Sequence, residues 1–196
     1  QIQKSEASAR RVFAMIDLEP TIVDQEGAAP LEEGASVITF DDVHFRYPKG
    51  PNVLNGVSFE LSSGQTIGIV GPTGAGKSTI VKLLLRYYEP DGGSVGMNGL
   101  DIQTLTLESM RQQIGYVSQD VYLFHGTVRE NIKYSHQDVT DEQMVAAARA
   151  VGAHDFITRL ENGYESFLAE RGVNLSVGQR QLISFARAIV ADPRIL

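Results

Sequence analysis

The nine residues 71–79, GPTGAGKST, hold three glycines, one lysine and three hydroxyl side chains. Gly71 is followed by four residues and then by Gly76, Lys77 and Ser78. This spacing lets the backbone through Gly71, Thr73, Gly74, Ala75 and Gly76 curl with its N–H groups turned inward, forming a nest for a phosphate. A helix opening near Lys77 adds its positive end to the same point. Lys77 can then reach β- and γ-phosphates as a point charge, and the Ser78 hydroxyl suits a magnesium ion. Thr79 completes the stretch. The flanks agree: TIGIVG (66–71) is a short apolar run and KSTIVKLLLRYY (77–88) has helical character. The chemistry these residues favour is the binding of a nucleoside triphosphate with magnesium.

A second stretch, LSVGQ, follows about a hundred residues later and comprises Leu175, Ser176, Val177, Gly178 and Gln179. Ser176 and Gln179 have the spacing of a capping box that opens a helix over 176–190. The cap leaves Gly178 unexplained, since glycine inside a helix costs about 1 kcal/mol relative to alanine. Glycine fits if something must approach the backbone closely. A helix N-terminus with a serine hydroxyl and a bare glycine N–H is suited to a γ-phosphate.

These two motifs need elements to hold them. VITFDDVHFRY (37–47) and VSFEL (57–61) alternate as strands do. TIGIVG (66–71) and IGYVSQ (114–119) read as strands buried on both faces. The pattern then turns helical: TDEQMVAAARAVGA (140–153) opens with a capping box from Thr140 to Gln143, and DFITRLENG (155–163) ends on a turn. Asp192-Pro193 stops the helix of 176–190, and Ile195-Leu196 read as the start of a further strand. Residues 1–18 read as a helix whose Ala9, Val12, Phe13 and Ile16 form one apolar stripe, and the proline- and acid-rich stretch 19–36 reads as a linker. The order implies an α/β core with a helical insert.

Composition sets limits. Of the 196 residues, 42% are hydrophobic and 21% charged, as in soluble globular domains. A net charge of −7 without a basic run argues against nucleic acid as a partner. The absence of cysteine removes disulfides and thiolate chemistry. No apolar run is long enough to span a bilayer. His44, His125, His136 and His154 are scattered without metal-ligand spacing.

Taken together, GPTGAGKST and LSVGQ resemble the ATP-binding cassette (ABC) family, whose signature motif LSVGQ matches apart from Val177, where glycine is commonest. The resemblance covers 37–196 and, more weakly, the first 36 residues. It implies an α/β, P-loop NTPase (RecA-like) core with an antiparallel β subdomain and an inserted helical subdomain at about 120–185. Residues 1–19 would be a linker helix continuing from a transmembrane domain, and 20–36 a flexible acidic linker. It implies ATP and magnesium, with Tyr47 of FRYP stacking on adenine and Gln119 of YVSQD contacting magnesium alongside Ser78. In this family two cassettes face head to tail, so Leu175–Gln179 would act on a nucleotide held by a partner cassette, the same chain or another.

AERG (169–172), with Glu170 central, and YLFHGTVRENI (122–132) look like exporter segments; Phe124 and Val128 are expected to pack. The family's general base is an aspartate-following glutamate, expected just after Leu196. No catalytic residue is therefore expected within the chain, and residues 1–196 alone are expected to hydrolyse ATP poorly. Gln1 and the short strand at Ile195 read as cut ends. The resemblance implies a domain at the cytoplasmic face of a membrane, joined to a transmembrane domain, that couples ATP binding and hydrolysis to solute export. A soluble non-transport cassette ATPase and a nucleotide-dependent dimerisation module are the alternatives.

Overall fold

In a computed structural model, residues 9–10, 12–32, 34, 37–134, 136 and 138–196 are described. Alternation in 37–61 produces two long antiparallel strands, β1 (Ile38–Arg46) and β2 (Asn52–Leu61). β1 also pairs with β3 (Gly92–Met97), which pairs with the short β4 (Leu100–Asp101), giving the antiparallel order β2-β1-β3-β4. Helix α1 (Lys77–Leu84) carries the glycine-rich loop at its start. It ends sooner than the apolar run suggests, because Arg86 takes a left-handed backbone. Phe40, Val43, Phe45, Leu54, Val95 and Met97 of the sheet pack with Leu83 of α1 and with Ile102, Leu105 and Met110 into a first core. Met110 belongs to α2 (Leu107–Gln112).

The second half is helical, apart from a small antiparallel pair, β5 (Gly126–Thr127) and β6 (Phe167–Leu168). α3 (Val128–Ile132), α4 (Asp141–Ala150), α5 (His154–Ile157) and α6 (Val177–Ile189) enclose a second core around Leu123, Ile132, Met144, Ile157, Leu168 and Ile183. Both capping boxes form: Thr140 with Gln143 starts α4, and Ser176 with Gln179 starts α6. Thr127 and Glu130 make a third at α3.

Three expectations need correction. Residues 66–71 form no strand, and their side chains are exposed, Val70 to 91%. A strand needs a neighbouring ladder, and the described residues offer 66–71 none; Ile67 and Ile69 instead line one wall of an apolar cleft of about 430 Å³. Residues 114–119 likewise make only the single parallel bridge of Ile114 to Ile195, and Tyr116 is half-exposed. Gly115 allows even this contact, since a Cβ there would lie 2.4 Å from the Ala188 carbonyl oxygen.

The third concerns the acidic linker, which is bound along part of its length. Asp24 Oδ1 accepts from the Leu107 amide at 2.7 Å, capping α2 from outside. Ala29 bridges Leu105, and the buried Leu31 donates its amide to Ser109 Oγ. Of the N-terminal helix, residues 9–10 and 12–16 are helical with Val12, Phe13 and Ile16 exposed. Residues 1–8, 11, 33, 35 and 36 of the expected helix and linker lie outside the described residues.

Candidate nucleotide site

Gly76 is the N-cap of α1 and sits in the left-handed region at φ 85°. A Cβ there would also meet Leu54 Cδ2 at 2.8 Å, so both backbone and packing demand glycine. Gly74, at φ 84°, makes the preceding turn. No side chain caps α1, and its first turn carries no acid. Among the described residues, its positive end therefore has neither a side-chain cap nor a first-turn acid, an arrangement that favours an anion. Lys77 Nζ donates to the carbonyls of Gly71 and Pro72, each at 2.8 Å, which keeps the ammonium over the loop. Gly71, Thr73, Gly74 and Ala75 are exposed along it.

Ser78 is exposed in the first turn of α1, and its hydroxyl makes no hydrogen bond among the described residues. Neither does the exposed Gln119 amide. Among the described residues no cluster of three or more histidine or acidic side chains could hold a metal. A hydroxyl such as that of Ser78, without a carboxylate cage, fits magnesium only where phosphate and water supply the remaining ligands.

Tyr47 stands beside this helix. Its hydroxyl pairs with Thr79 Oγ1 at 3.1 Å, and Thr79 is itself buried. Its ring meets Phe45 and Tyr88 edge-on at 4.9 and 5.1 Å, with Lys82 Nζ over it at 5.5 Å. These contacts fix the ring at a shallow cleft that also includes Pro48, Lys49 and Asp91. In the sequence, Tyr88 is marked only by the Tyr87-Tyr88 doublet that closes the helical run, and nothing local marks Lys82.

Leu175 is buried, whereas Ser176, Val177 and Gly178 are exposed, Val177 to 63%. A Cβ on Gly178 would meet nothing within 4 Å, so the described residues supply no packing reason for the glycine. Gln119 lies by Val177, Arg180 and Gln181 at a small cleft. No hydrogen bond among the described residues joins 71–79 to 175–179.

Two further arginines hold this frame. Arg111 donates to the Leu85 and Arg86 carbonyls at 3.0 Å each, satisfying the C-terminal end of α1. Arg187 of α6 donates to the carbonyls of Tyr122 and Asn131 and lies over the rings of Phe124 and Tyr134. Burial pulls its pKa below the ordinary arginine value. Phe124 stacks on Tyr134 at 4.0 Å and Val128 is fully buried, the packing roles expected of them.

A family model described as "ABC transporter" matches residues 54–196. The chain is 46% identical over 192 residues to the ABC transporter ATP-binding protein YfiC of Bacillus subtilis, covering 97% of this chain and 32% of that protein. It is 42% identical over 187 residues to the human mitochondrial iron-sulfur clusters transporter ABCB7, covering 94% of this chain and 25% of that protein. The structure of a bacterial Atm1-family ABC exporter with ATP bound superposes with a TM-score of 0.89 at 38% identity, covering 98% of this chain and 34% of that one. The chain therefore spans a quarter to a third of the length of these relatives. The fold is the α/β ABC ATPase fold that the resemblance implied.

Proposed function

The chain belongs to the ABC transporter family, and from that premise we propose that it binds MgATP at residues 71–79 and closes head to tail on a second cassette. Gly178 carries the second half of this reading. It costs helix stability, has open space at its Cβ position, and lies beside the exposed Ser176 on a helix start that Lys77 does not share. A phosphate brought by another cassette would use it.

Each residue then has a task. Amides of Gly71–Gly76 and the start of α1 cradle the β-phosphate, and Lys77 exchanges its two loop carbonyls for phosphate oxygens. Tyr47 offers a ring face to adenine. Magnesium would be held by Ser78 and Gln119 and would neutralise phosphate charge. Ser176 and the Gly178 amide would donate to the γ-phosphate on the facing cassette.

In the whole protein we propose that this closure, with ATP hydrolysis, drives export of a solute across a membrane, with the domain at the cytoplasmic face beside its transmembrane domain. The relatives named as exporter and transporter support that step. No described helix is long and apolar enough to cross a membrane.

Titration with MgATP tests the first half: Lys77→Ala abolishes binding, and unaltered affinity would overturn the phosphate assignment. Ser176→Arg tests the second by placing a bulky side chain at the facing phosphate. Loss of ATP-driven association, with ATP binding to the monomer intact, is the expected result; a fall in ATP binding to the monomer would place Ser176 at its own chain's nucleotide.

A further inference from the structure

We propose that Lys82 is a positioning residue for the nucleotide base: its ammonium holds one face of the Tyr47 ring, so that adenine stacks on the opposite face. This rests on the reading of Tyr47 as the adenine platform.

α1 carries two lysines with different partners. Lys77, at its start, is held over the glycine-rich loop by the Gly71 and Pro72 carbonyls. Lys82 lies in the last turn, a rise of about 7.5 Å further along the axis. Its Nζ stands over the Tyr47 ring, 5.5 Å from the centroid. Among the described residues it makes no hydrogen bond or ion pair. The acids closest to it in sequence are engaged elsewhere: Glu89 accepts from Arg86 at 3.1 Å, and Asp91 accepts from the Arg46 amide at 2.8 Å. The ring is therefore the partner of this charge, and the attraction is to its π face.

Thr79 and Lys82 are three residues apart and share one stripe of α1. The buried Thr79 pairs with the Tyr47 hydroxyl at 3.1 Å, and Lys82 covers the ring. The tyrosine thus lies along the helix, tied at its tip and capped on a face. Phe45 and Tyr88 stand nearly perpendicular to it, at 85° and 89°, and resist its tilting. Stacking needs two parallel planes, and a base has little freedom once its phosphates are fixed at Lys77. α1 would then set both ends of the nucleotide: its start takes the phosphates, and Lys82 sets the plane that meets the base. A cation on the far face also draws π density from the near one, which lowers the repulsion between stacked rings.

A lysine in a last turn also opposes the negative end of the helix. That purely structural role acts on every ligand of the loop alike, or on none. Positioning of the ring acts only on ligands that carry a base.

The test titrates the full chain with MgATP and, separately, with magnesium tripolyphosphate, which has the phosphates without the base. Lys82→Met keeps the stem and removes the charge. It weakens MgATP binding by about two- to fivefold and leaves tripolyphosphate binding at the wild-type level. Lys82→Gln, a second neutral variant, gives the same split and serves if Lys82→Met does not fold. Lys82→Arg, whose guanidinium also sits on aromatic faces, restores MgATP affinity. In a Tyr47→Ala chain, Lys82→Met costs nothing further, because the ring it acts through is gone.

Unaltered MgATP affinity in the neutral variants, with a loss in Tyr47→Ala, would overturn the role of Lys82 and leave the platform intact. Equal losses for MgATP and tripolyphosphate would also overturn it, making Lys82 a phosphate contact or a helix support. An undiminished Lys82→Met loss in the Tyr47→Ala chain would overturn it too, since Lys82 would then touch the nucleotide directly. Wild-type affinity in Tyr47→Ala would overturn the platform reading and the role of Lys82 with it.

Discussion

Tyr47 has two separable jobs, because its ring and its hydroxyl face different neighbours. The hydroxyl is tied to Thr79 in the first turn of α1, while the ring is braced by Phe45 and Tyr88. Tyr47→Ala removes both and weakens MgATP binding by about 1–3 kcal/mol, the worth of a base stacked on an aromatic ring. Tyr47→Phe keeps the ring, so affinity holds while stability falls by about 0.5–1.5 kcal/mol for the lost hydrogen bond. Calorimetric titration and thermal melts of both variants check this; equal affinity in Tyr47→Ala would return the ring to plain packing. Such residues were legible to different degrees. Lys77 and Ser78 could be read because their role lies in a nine-residue spacing. Arg111 and Arg187 could not, since both act on carbonyls of segments far away in the chain. Nothing local marks an arginine as the anchor of a distant backbone.

Elements followed the same division. All signals confined to four residues held: the capping boxes at Thr140 and Ser176 formed as their spacing requires. The strands expected at 66–71 and 114–119 did not form, because a ladder depends on neighbours and composition reports only the run itself. The start of α4 shows what tertiary contact adds to a cap. Asp141 pairs with Arg129 and with Lys133 Nζ at 2.7 Å, and Arg129 also reaches Glu165 Oε1 at 2.5 Å. Hydrogen bonds from Arg129, then from Lys133, hold the Asp141 carboxyl at about 2, well below the ordinary carboxylate range. The folded state therefore favours the charged form, so this contribution is present above about pH 4 and is lost as pH falls towards about 2. Asp141→Asn lowers the melting temperature at neutral pH, and its difference from wild type shrinks over that acid interval. Melts at pH 7, 4 and 2 check the sign; a difference that persists undiminished at the lowest pH would rule out this linkage.

At the scale of the whole molecule, the two phosphate-suited helix starts make a prediction that neither makes alone. α1 presents Lys77 and Ser78, α6 presents Ser176 and Gly178, and no hydrogen bond among the described residues joins the two loops. In a head-to-tail pair, each nucleotide would sit between α1 of one chain and α6 of the other. A Lys77→Ala chain then has no working loop but an intact signature; a Ser176→Arg chain has the reverse. Neither associates with its own copies on MgATP, because every composite site in such a pair lacks one half. Mixed together, they assemble one complete site, from α1 of the Ser176→Arg chain and α6 of the Lys77→Ala chain, and one doubly defective site. The mixture therefore recovers association and binds one MgATP per pair, where the wild type binds two. Sedimentation of the mixture with labelled nucleotide reads both quantities. If α1 and α6 instead served one nucleotide within a single chain, each variant would remain defective and mixing would recover nothing, because no intact chain is present. Recovery on mixing is thus a result that only exchange of half-sites between chains can produce.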